Sequence, residues 1–247
     1  MTQQLVSVII PVFNATATLD AAIESVRSQN YPNIELIVID GGSTDGTLEI
    51  LLSRKDFIQK VISEKDHGVY DAMNKGIELA EGDWLYFLGA DDVLASGDVI
   101  SKVMHAAVID VELIIGDVEN IGRQHSRVPH IHRSQFGSGL IWRNTVHQQS
   151  AFYHYSLFDD RQFNPEFKVL GDYDFHLYLY KEEIKSKKID LIIARCAASG
   201  LSKDFSKSLY DEELRMKQKH YDKTLLLFWL IQAPFIYLKF LYKKFTR

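Results

Sequence analysis

Short apolar runs rich in β-branched residues alternate with helical patterns through the first hundred residues, and this alternation limits the chain to few folds. The first run, VSVIIPV at residues 6–12, is almost entirely apolar, as in a parallel strand covered on both faces. Residues 18–29 place apolar side chains at helical spacing, and a second apolar run follows at residues 34–39. The pattern predicts an α/β fold, with a mostly parallel Rossmann-like sheet flanked by helices.

The same pattern continues along the chain and becomes less regular in the second half. The other predicted helices span residues 47–54, 70–80 and 173–183, and the other predicted strands span residues 61–63, 84–88, 113–115 and 189–194. Residues 119–139 have no clear period, and the chain becomes helical again from Leu209. Because no linker interrupts this order, we expect one domain at residues 1–220 and an appended tail at 221–247.

Charge and cysteine content exclude several classes of protein. The 28 Lys and Arg residues against 33 Asp and Glu residues give a formal charge of −5, which argues against a nucleic-acid partner. Cys196 is the single cysteine, so no intramolecular disulfide can form and nothing indicates an oxidising compartment. The first residues lack the basic segment of a signal peptide, and we expect them to lead into a buried strand.

Carboxylates follow three of the predicted strands at the point where each strand ends. They are Asp40, the acidic segment 64–71, and the pair Asp91 and Asp92. In an open parallel sheet, ligands bind beyond the carboxyl ends of the strands. Negative charges gathered there repel unless a cation or hydrogen-bond donors compensate, and Mg²⁺ or Mn²⁺ binds through carboxylates together with substrate phosphates. The residues therefore predict a metal-bridged phosphate ligand, and hence a nucleotide site.

Each of these signals also has a purely structural explanation. Asp40 with the two following glycines could form a tight turn, Asp91 and Asp92 could cap a helix, and residues 66–75 could be the first turns of one. Other nucleotide motifs are absent, since neither GxGxxG nor GxxxxGK[ST] follows the first strand, and no GxSxG or zinc spacing occurs. The placement of the acids on consecutive strand ends favours the nucleotide site.

Two segments carry a resemblance to a known family. Residues 7–47 (SVIIPVFNATATLDAAIESVRSQNYPNIELIVIDGGSTDGT) and 63–92 (SEKDHGVYDAMNKGIELAEGDWLYFLGADD) resemble the family-2 glycosyltransferases. These are inverting, nucleotide-sugar-dependent enzymes of the GT-A fold. The resemblance covers about residues 5–100 and continues more loosely to about residue 220. Residues 63–76 are similar to the branch that builds bacterial exopolysaccharide, capsule and O-antigen repeat units.

The resemblance implies a role for each matching position on the donor side. Asp40 would bind the base, usually uracil, above a floor formed by Pro11, Val12 and Phe13. The nucleotide and donor sugar would be lined by Asp66, Gly68, Asp71, Asn74 and Lys75. Asp91 would contact the ribose or donor sugar, and Asp92 would bind Mn²⁺ or Mg²⁺. Gly89 stands where the family has another acid, which leaves two carboxylates for the metal.

Asp172 falls where the family places its catalytic base, with Asp174 as the competing candidate. Inversion needs one carboxylate that removes the proton of the acceptor hydroxyl. An ordinary Asp has a pKa of about 3.9, so burial between Tyr173 and Phe175 would make Asp172 a stronger base. The structural alternative is that Asp172 caps the following helix.

The acceptor side is less well marked. By the same resemblance, His147 and Gln148 would lie between donor and acceptor, unless their role is structural. A basic loop with Arg123, Arg127 and Arg133 could hold the pyrophosphate of a polyprenyl-diphosphate-linked saccharide, or could simply be solvated. The QxxRW signature of processive members is absent, which predicts one sugar added per acceptor.

The tail is apolar at residues 225–242 and ends in basic residues. It is marginal for a spanning helix, and Pro234 would kink it. Mixed aromatic and basic residues favour an amphipathic helix on the anionic cytoplasmic face of the plasma membrane, against the alternative of packing on protein. Two rival functions remain open, a nucleotidyltransferase and a catalytically degenerate nucleotide-sugar-binding or scaffold protein.

Overall fold

The computed structural model describes residues 4–122, 129–197, 207–224, 226–227 and 231. The chain divides into two compact units, residues 1–199 and residues 200–247. In the first unit the strands are β1 (Val6–Val12), β2 (Ile34–Asp40), β3 (Lys60–Ser63), β4 (Trp84–Phe87), β5 (Val93–Leu94), β6 (Leu113–Ile121), β7 (Ile131–Arg133), β8 (Ala151–His154) and β9 (Ser186–Ala197). Its helices are α1 (Leu19–Arg27), α2 (Thr47–Ser53), α3 (Val69–Leu79), α4 (Val99–Ala106) and α5 (Gly171–Lys181). The second unit contains α6 (Lys207–His220).

The described strands form one mixed sheet in the order β3-β2-β1-β4-β8-β6-β9-β5, with β7 paired to β6. Strands β1 to β4 are parallel, as the alternating pattern predicts. Beyond β4 the sheet is mixed, because β8 runs antiparallel to both β4 and β6, whereas β6 and β9 are parallel. The α/β fold with helices against a sheet is confirmed, and the parallel portion is its first half.

Register brings the ends of the first strands to one edge of the sheet. Val12 at the end of β1 lies opposite Asp40, and Asp40 lies opposite Ser63 at the end of β3. The core side chains of β1 and β2 are buried on both faces, which explains their nearly continuous apolar sequence. Helix α3 lies directly on β1, since a Cβ at Gly76 would be 2.4 Å from Cγ2 of Ile9. This close packing holds α3 against β1.

Several elements differ from the predicted pattern. Strands β5 and β7 have two and three residues, too short to establish a period. Helix α4 is absent from the prediction, although its buried Val99, Ile100 and Val103 stand at helical spacing. Strand β6 extends six residues beyond its predicted end, because its outer half pairs with β7 and β9 although it contains Asp117, Glu119 and Asn120. Tertiary pairing overrides the polar character of this segment.

Candidate functional site

The first part of the site is a buried carboxylate at the end of β2. Asp40 accepts hydrogen bonds from the Ser43 hydroxyl at 2.5 Å and from the Ser63 hydroxyl at 2.6 Å, so both of its oxygens are oriented. The backbone N–H of Gly41 donates to the Val12 carbonyl at 2.9 Å and closes the turn after the strand. Beside this turn Phe13 is 63% exposed. The exposed aromatic ring beside this buried carboxylate offers a face on which a planar heterocycle could stack.

Asn14 holds the loop that follows Asp40, a role that the sequence analysis does not assign to it. It has a positive φ of 50°, its N–H donates to the Ser43 hydroxyl at 2.7 Å, and its side-chain oxygen accepts from the Thr44 N–H at 2.9 Å. Asn tolerates this left-handed conformation better than most residues. Asn14 lies directly after β1, but the sequence does not indicate that its partner is Ser43, 29 residues away.

The loop before α3 brings a second carboxylate to the same edge. A Cβ at Gly41 would lie 2.3 Å from Oδ2 of Asp66, so the Asp66 carboxylate rests directly against the backbone that follows Asp40. Its other oxygen accepts from the Gly68 N–H at 2.9 Å. Gly68 has a φ of 122°, which favours glycine at this position. The structure therefore brings together Asp40, Asp66 and Gly68, as the sequence predicts.

The neighbouring polar residues of this loop hold its shape. Asp71 accepts from the backbone N–H of His67 at 2.9 Å, and this bond lowers the pKa of its carboxyl. Lys75 contacts Glu64 at 2.7 Å, which raises the pKa of the lysine. Asn74 bonds both ways to the backbone of Phe163, at 2.8 and 3.1 Å. A donor-binding role for Asp71, Asn74 and Lys75 stays a prediction beside these internal contacts.

Asp91 and Asp92 lie over Gly89, the position at which the family resemblance predicts another acid. A Cβ at Gly89 would be 2.5 Å from Oδ2 of Asp92 and 3.1 Å from Oδ1 of Asp91, so the two carboxylates close over the glycine. Asp92 is buried and accepts from the Ala197 N–H at 2.9 Å, whereas Asp91 is exposed. A side chain larger than that of glycine would therefore collide with these carboxylates.

This pair of acids fits a hard divalent cation that is shared with substrate. Among the described residues, no group of three or more His, Cys, Asp or Glu side chains is arranged to hold a metal. Mg²⁺ usually takes one or two carboxylates and completes its oxygen shell with water and phosphate. Asp92, with Asp91 beside it, supplies oxygens of the required kind.

Asp172, in the first turn of α5, is held by two donors from distant segments. The Asn144 amide donates to Oδ2 at 3.1 Å, and the Tyr70 hydroxyl lies 3.2 Å from Oδ1 while it also bonds to the Val169 carbonyl at 2.8 Å. Burial raises the pKa of Asp172 to about 6, against the lowering effect of these hydrogen bonds. The group is therefore ionised at neutral pH and a stronger base than an ordinary aspartate.

Tyr70 connects this base to the donor loop. It stands two residues after Gly68, and a Cβ at Gly171 would be 2.7 Å from its ring, so the start of α5 packs on the start of α3. Asp172 consequently lies beside the loop that carries Asp66. The sequence analysis missed Tyr70, although it stands inside the motif of residues 63–76, and it missed Asn144, for which no local signal exists.

Asp174, the competing candidate for the base, is a buried partner of Arg161. The Arg161 guanidinium also lies over the ring of Tyr178, 4.8 Å from its centroid. An ion pair of this kind, with one member fully buried, is a structural feature, and breaking it is costly.

The predicted acceptor residues lie in different surroundings. His147 donates through its backbone N–H to the Ser134 hydroxyl at 3.1 Å, and Gln148 is buried near Tyr153. The Tyr153 hydroxyl lies 2.7 Å from Nε2 of His176, whose pKa burial lowers to about 3. Gln148 thus borders a buried and uncharged polar cluster.

Part of the predicted acceptor and membrane surface lies outside the described residues. Arg133 is exposed at the end of β7, but Arg123, Arg127 and most of the tail at 225–242 lie outside the described ranges. Within those ranges, no helix has the length and apolar character needed to cross a membrane.

Two cavities in the described part of the molecule lie away from the strand-end acids. One of about 350 Å³ is lined by residues that include Ile115, Phe136 and Lys188, and one of about 370 Å³ by residues that include Asp83 and Tyr155. Neither is lined by the carboxylates described above.

Solved structures resemble this fold closely at low sequence identity. TarS of S. aureus in complex with UDP-GlcNAc has a TM-score of 0.70 at 20% identity, over 86% of this chain and 65% of that chain. The chain spans 39% of a longer TarS structure. The mannosyltransferase PcManGT from Pyrobaculum calidifontis, in complex with GDP-Man and Mn²⁺, has a TM-score of 0.63 at 17% identity, over 89% and 64% of the two chains. These likenesses show the GT-A fold.

Sequence comparison shows the family. A PGL/p-HBAD biosynthesis glycosyltransferase of Mycobacterium bovis is 36% identical over 193 residues, which cover 72% of this chain and 70% of the relative. The family description Glycosyl transferase family 2 matches residues 7–186, a range that includes every strand-end acid and Asp172. The chain therefore belongs to glycosyl transferase family 2.

Proposed function

We propose that this protein transfers one sugar from a UDP-sugar, a hexose or N-acetylhexosamine, to a lipid-linked saccharide, with inversion at the anomeric carbon. The observation that carries the proposal is the placement of Asp172, a carboxylate with a pKa of about 6, beside the loop of Asp66 and Gly68. A base with this pKa is ionised at neutral pH yet able to take a proton in the transition state. Asp174 is engaged by Arg161, which favours Asp172 for this role.

The donor would bind along the edge of β1 to β4. Asp40 would accept from the base N–H, with Pro11, Val12 and Phe13 beneath it, and Asp66 and Asp91 would meet the ribose and donor sugar. Asp71, Asn74 and Lys75 would shape the loop around the donor. The complexes of TarS with UDP and UDP-GlcNAc support a uridine nucleotide.

Asp92, with Asp91 beside it, would hold Mn²⁺ or Mg²⁺ against the diphosphate. When bound, such an ion neutralises charge on the leaving group. PcManGT contains Mn²⁺ together with its sugar nucleotide, which supports a divalent ion in this fold. This chain's own part in the reaction is the removal of the acceptor proton by Asp172, with the carboxylate oriented by Asn144 and Tyr70.

For the acceptor we propose a polyprenyl-diphosphate-linked saccharide used in bacterial surface polysaccharide synthesis. The M. bovis relative is named for the biosynthesis of PGL and p-HBAD, which supports a glycoconjugate product. His147 and Gln148 would border the acceptor, and Arg123, Arg127 and Arg133 would meet its diphosphate. The tail at 221–247 would attach the protein to the cytoplasmic face of the membrane.

A thermal-shift screen with UDP, GDP and dTDP, each with and without Mn²⁺, tests the donor assignment. A nucleotide present at 100 times its Kd stabilises the fold by about 2.7 kcal/mol. We expect a Mn²⁺-dependent rise in Tm with UDP that Asp92→Ala abolishes. If no nucleotide raises Tm, the transferase proposal fails and a degenerate scaffold of the same fold becomes the better account.

A further inference from the structure

The cavity of about 350 Å³ has a wall that continues directly into the residues that hold Asp172. Thr145 lines this cavity, and the residue before it, Asn144, donates to the Asp172 carboxylate at 3.1 Å. Because consecutive Cα atoms are about 3.8 Å apart, the Cα of Thr145 lies no more than roughly 11 Å from that carboxylate. Two linked sugar rings can span this distance. A molecule with a hydroxyl at Asp172 can therefore extend into the cavity.

Residues 135–139 form a second part of the lining and are fixed through backbone groups. The Gln135 N–H donates to the Thr145 carbonyl at 2.8 Å, and the Thr145 hydroxyl donates to the Gln135 carbonyl at 2.6 Å. The carbonyl of Leu140, directly after this segment, accepts from the Tyr173 hydroxyl at 2.6 Å in the first turn of α5. The wall of the cavity is thus held in place by the fold itself, and these contacts do not use the Gln135 side chain.

The side chains that line the cavity are uncharged, apart from one lysine whose charge is compensated. Lys188 pairs with the buried carboxylate of Asp117 and donates to the Gly116 carbonyl at 2.7 Å. Among the described residues that line the cavity, none therefore offers an uncompensated charge to a phosphate or a carboxylate. The remaining polar side chains carry hydroxyls and one amide, and they belong to Gln135, Ser138, Thr145 and Ser186.

The apolar part of the lining comes from Ile115 and Phe136. Phe136 is half-buried, and its ring meets that of Tyr180 in α5 edge to face, with 6.2 Å between the centroids. Neutral hydroxyl and amide groups beside an aromatic ring match a sugar, which has hydroxyls at its edge and C–H bonds on its faces. The volume is at the small end of the range of about 300–1,000 Å³ for ligand pockets. The cavity therefore suits one neutral sugar unit.

We propose that this cavity, which we call the inner-sugar cavity, binds the sugar next to the one that receives the transferred unit. The inference rests on the proposed function and specifies its acceptor as a disaccharide or a longer chain with a neutral inner sugar. The terminal sugar presents a hydroxyl to Asp172 while the inner sugar occupies the cavity. Binding of the inner sugar thereby fixes which hydroxyl of the terminal sugar faces the base.

Three substitutions in the full chain test the inner-sugar cavity. Gly137→Leu is the most direct, because no atom lies within 4 Å of a Cβ at this position and the added side chain extends into open space at the cavity wall. Phe136→Ala removes the ring, and Gln135→Leu removes the amide but keeps the backbone hydrogen bonds. The matched control is Asp159→Leu, which introduces the same side chain at an exposed residue that lines the other cavity. Calorimetric binding of UDP reports that each variant is folded and retains the donor site.

The kinetic probes are decyl diphosphate esters of N-acetylglucosamine and of disaccharides in which glucose, galactose or mannose is attached to that sugar. In wild type we expect a disaccharide ester to have an acceptor KM at least about tenfold lower than the monosaccharide ester, the effect of one or two neutral hydrogen bonds. Gly137→Leu should abolish this difference, and Phe136→Ala and Gln135→Leu should reduce it. The KM for the monosaccharide ester and for the donor should not change, and Asp159→Leu should behave as wild type. Equal KM values for both kinds of ester in wild type, or a difference that Gly137→Leu leaves intact, overturn the proposal.

Saturation-transfer NMR with cellobiose, maltose, lactose and chitobiose gives a second readout that does not depend on transfer. We expect signals from at least one disaccharide with wild type and with Asp159→Leu, and weaker signals with Gly137→Leu. Protein that binds UDP but shows neither transfer to a disaccharide ester nor an NMR signal overturns the inner-sugar cavity while the donor assignment stands. Protein that gives signals sensitive to Gly137→Leu but does not bind UDP overturns the proposed function and leaves the cavity as a sugar site. Protein that shows neither overturns both.

Discussion

Replacing Asp172 by asparagine should make the protein more stable at neutral pH while it removes the base. Burial raises the pKa of this carboxyl from 3.8 to about 6. At 1.36 kcal/mol per pH unit, keeping the charged form in the fold costs roughly 3 kcal/mol above pH 6. The introduced amide carries no charge. It can accept from Asn144, and its N–H can donate to the Tyr70 hydroxyl oxygen when the hydroxyl hydrogen bonds the Val169 carbonyl.

The sign follows from proton linkage. Between about pH 4 and pH 6 the folded protein binds the Asp172 proton more tightly than the unfolded chain does, so stability falls as pH rises through this window and stays lower above it. Asp172→Asn carries no charge at this position and should not lose stability in this pH window. At pH 8 we expect the variant to be about 2–3 kcal/mol more stable, which for a chain of this size is a Tm about 4–12 °C higher. At pH 5 the gap should narrow to about half.

Thermal unfolding followed by circular dichroism at pH 5 and pH 8 measures both values. Asp174→Asn is the matched control, because it makes the same chemical change two residues away but leaves Arg161 without its buried partner. That variant should lose stability. An Asp172→Asn protein that is less stable than wild type at pH 8, or a gap that does not depend on pH, would refute the reasoning.

Two further predictions concern the same site. Asn144→Leu removes a hydrogen-bond donor to the charged Asp172 carboxylate and should therefore raise its pKa. In a pH–rate profile, the acid limb of kcat/KM, expected near pH 6 in wild type, should move up by about one pH unit. An unmoved limb would contradict a role for this hydrogen bond. Gly89→Ala places a methyl 2.5 Å from Oδ2 of Asp92, and calorimetry should show Mn²⁺-dependent UDP binding weakened at least about tenfold. Gly137→Ala is the control, because no atom lies within 4 Å of the added methyl, and it should leave UDP binding unchanged. Equal binding in both variants would dissociate Asp92 from the nucleotide site.

The donor half of the fold could be predicted because its signals are local. β1 has its predicted bounds, and β2, β3 and α3 lie within one residue of theirs, since each is a continuous apolar run or a clear helical period. Parallel strands then place their carboxyl ends at one edge, which brings Asp40 and Asp66 together from sequence order alone. The second half mixes parallel and antiparallel pairs, and no local pattern specifies that β8 inserts between β4 and β6.

The surroundings of the base could not be predicted because they are built from distant segments. Tyr70 is 102 residues from Asp172, and Asn144 is 28 residues from it. At Gly89 the sequence shows that a glycine replaces the acid expected from the family resemblance, but it does not show why. Only the positions of the Asp91 and Asp92 carboxylates show that a larger side chain would displace them.

The central claim is that Asp172 is the base of a UDP-sugar transferase. The most direct test measures the single-turnover rate and the affinity for UDP in the same preparations of the wild-type protein and of Asp172→Asn. The account predicts a rate lower by about 10²–10⁴-fold with an unchanged Kd for UDP, since the carboxylate acts on the acceptor proton and not on the nucleotide. A variant that turns over within about threefold of wild type, or one whose UDP affinity falls as much as its rate, would contradict the claim.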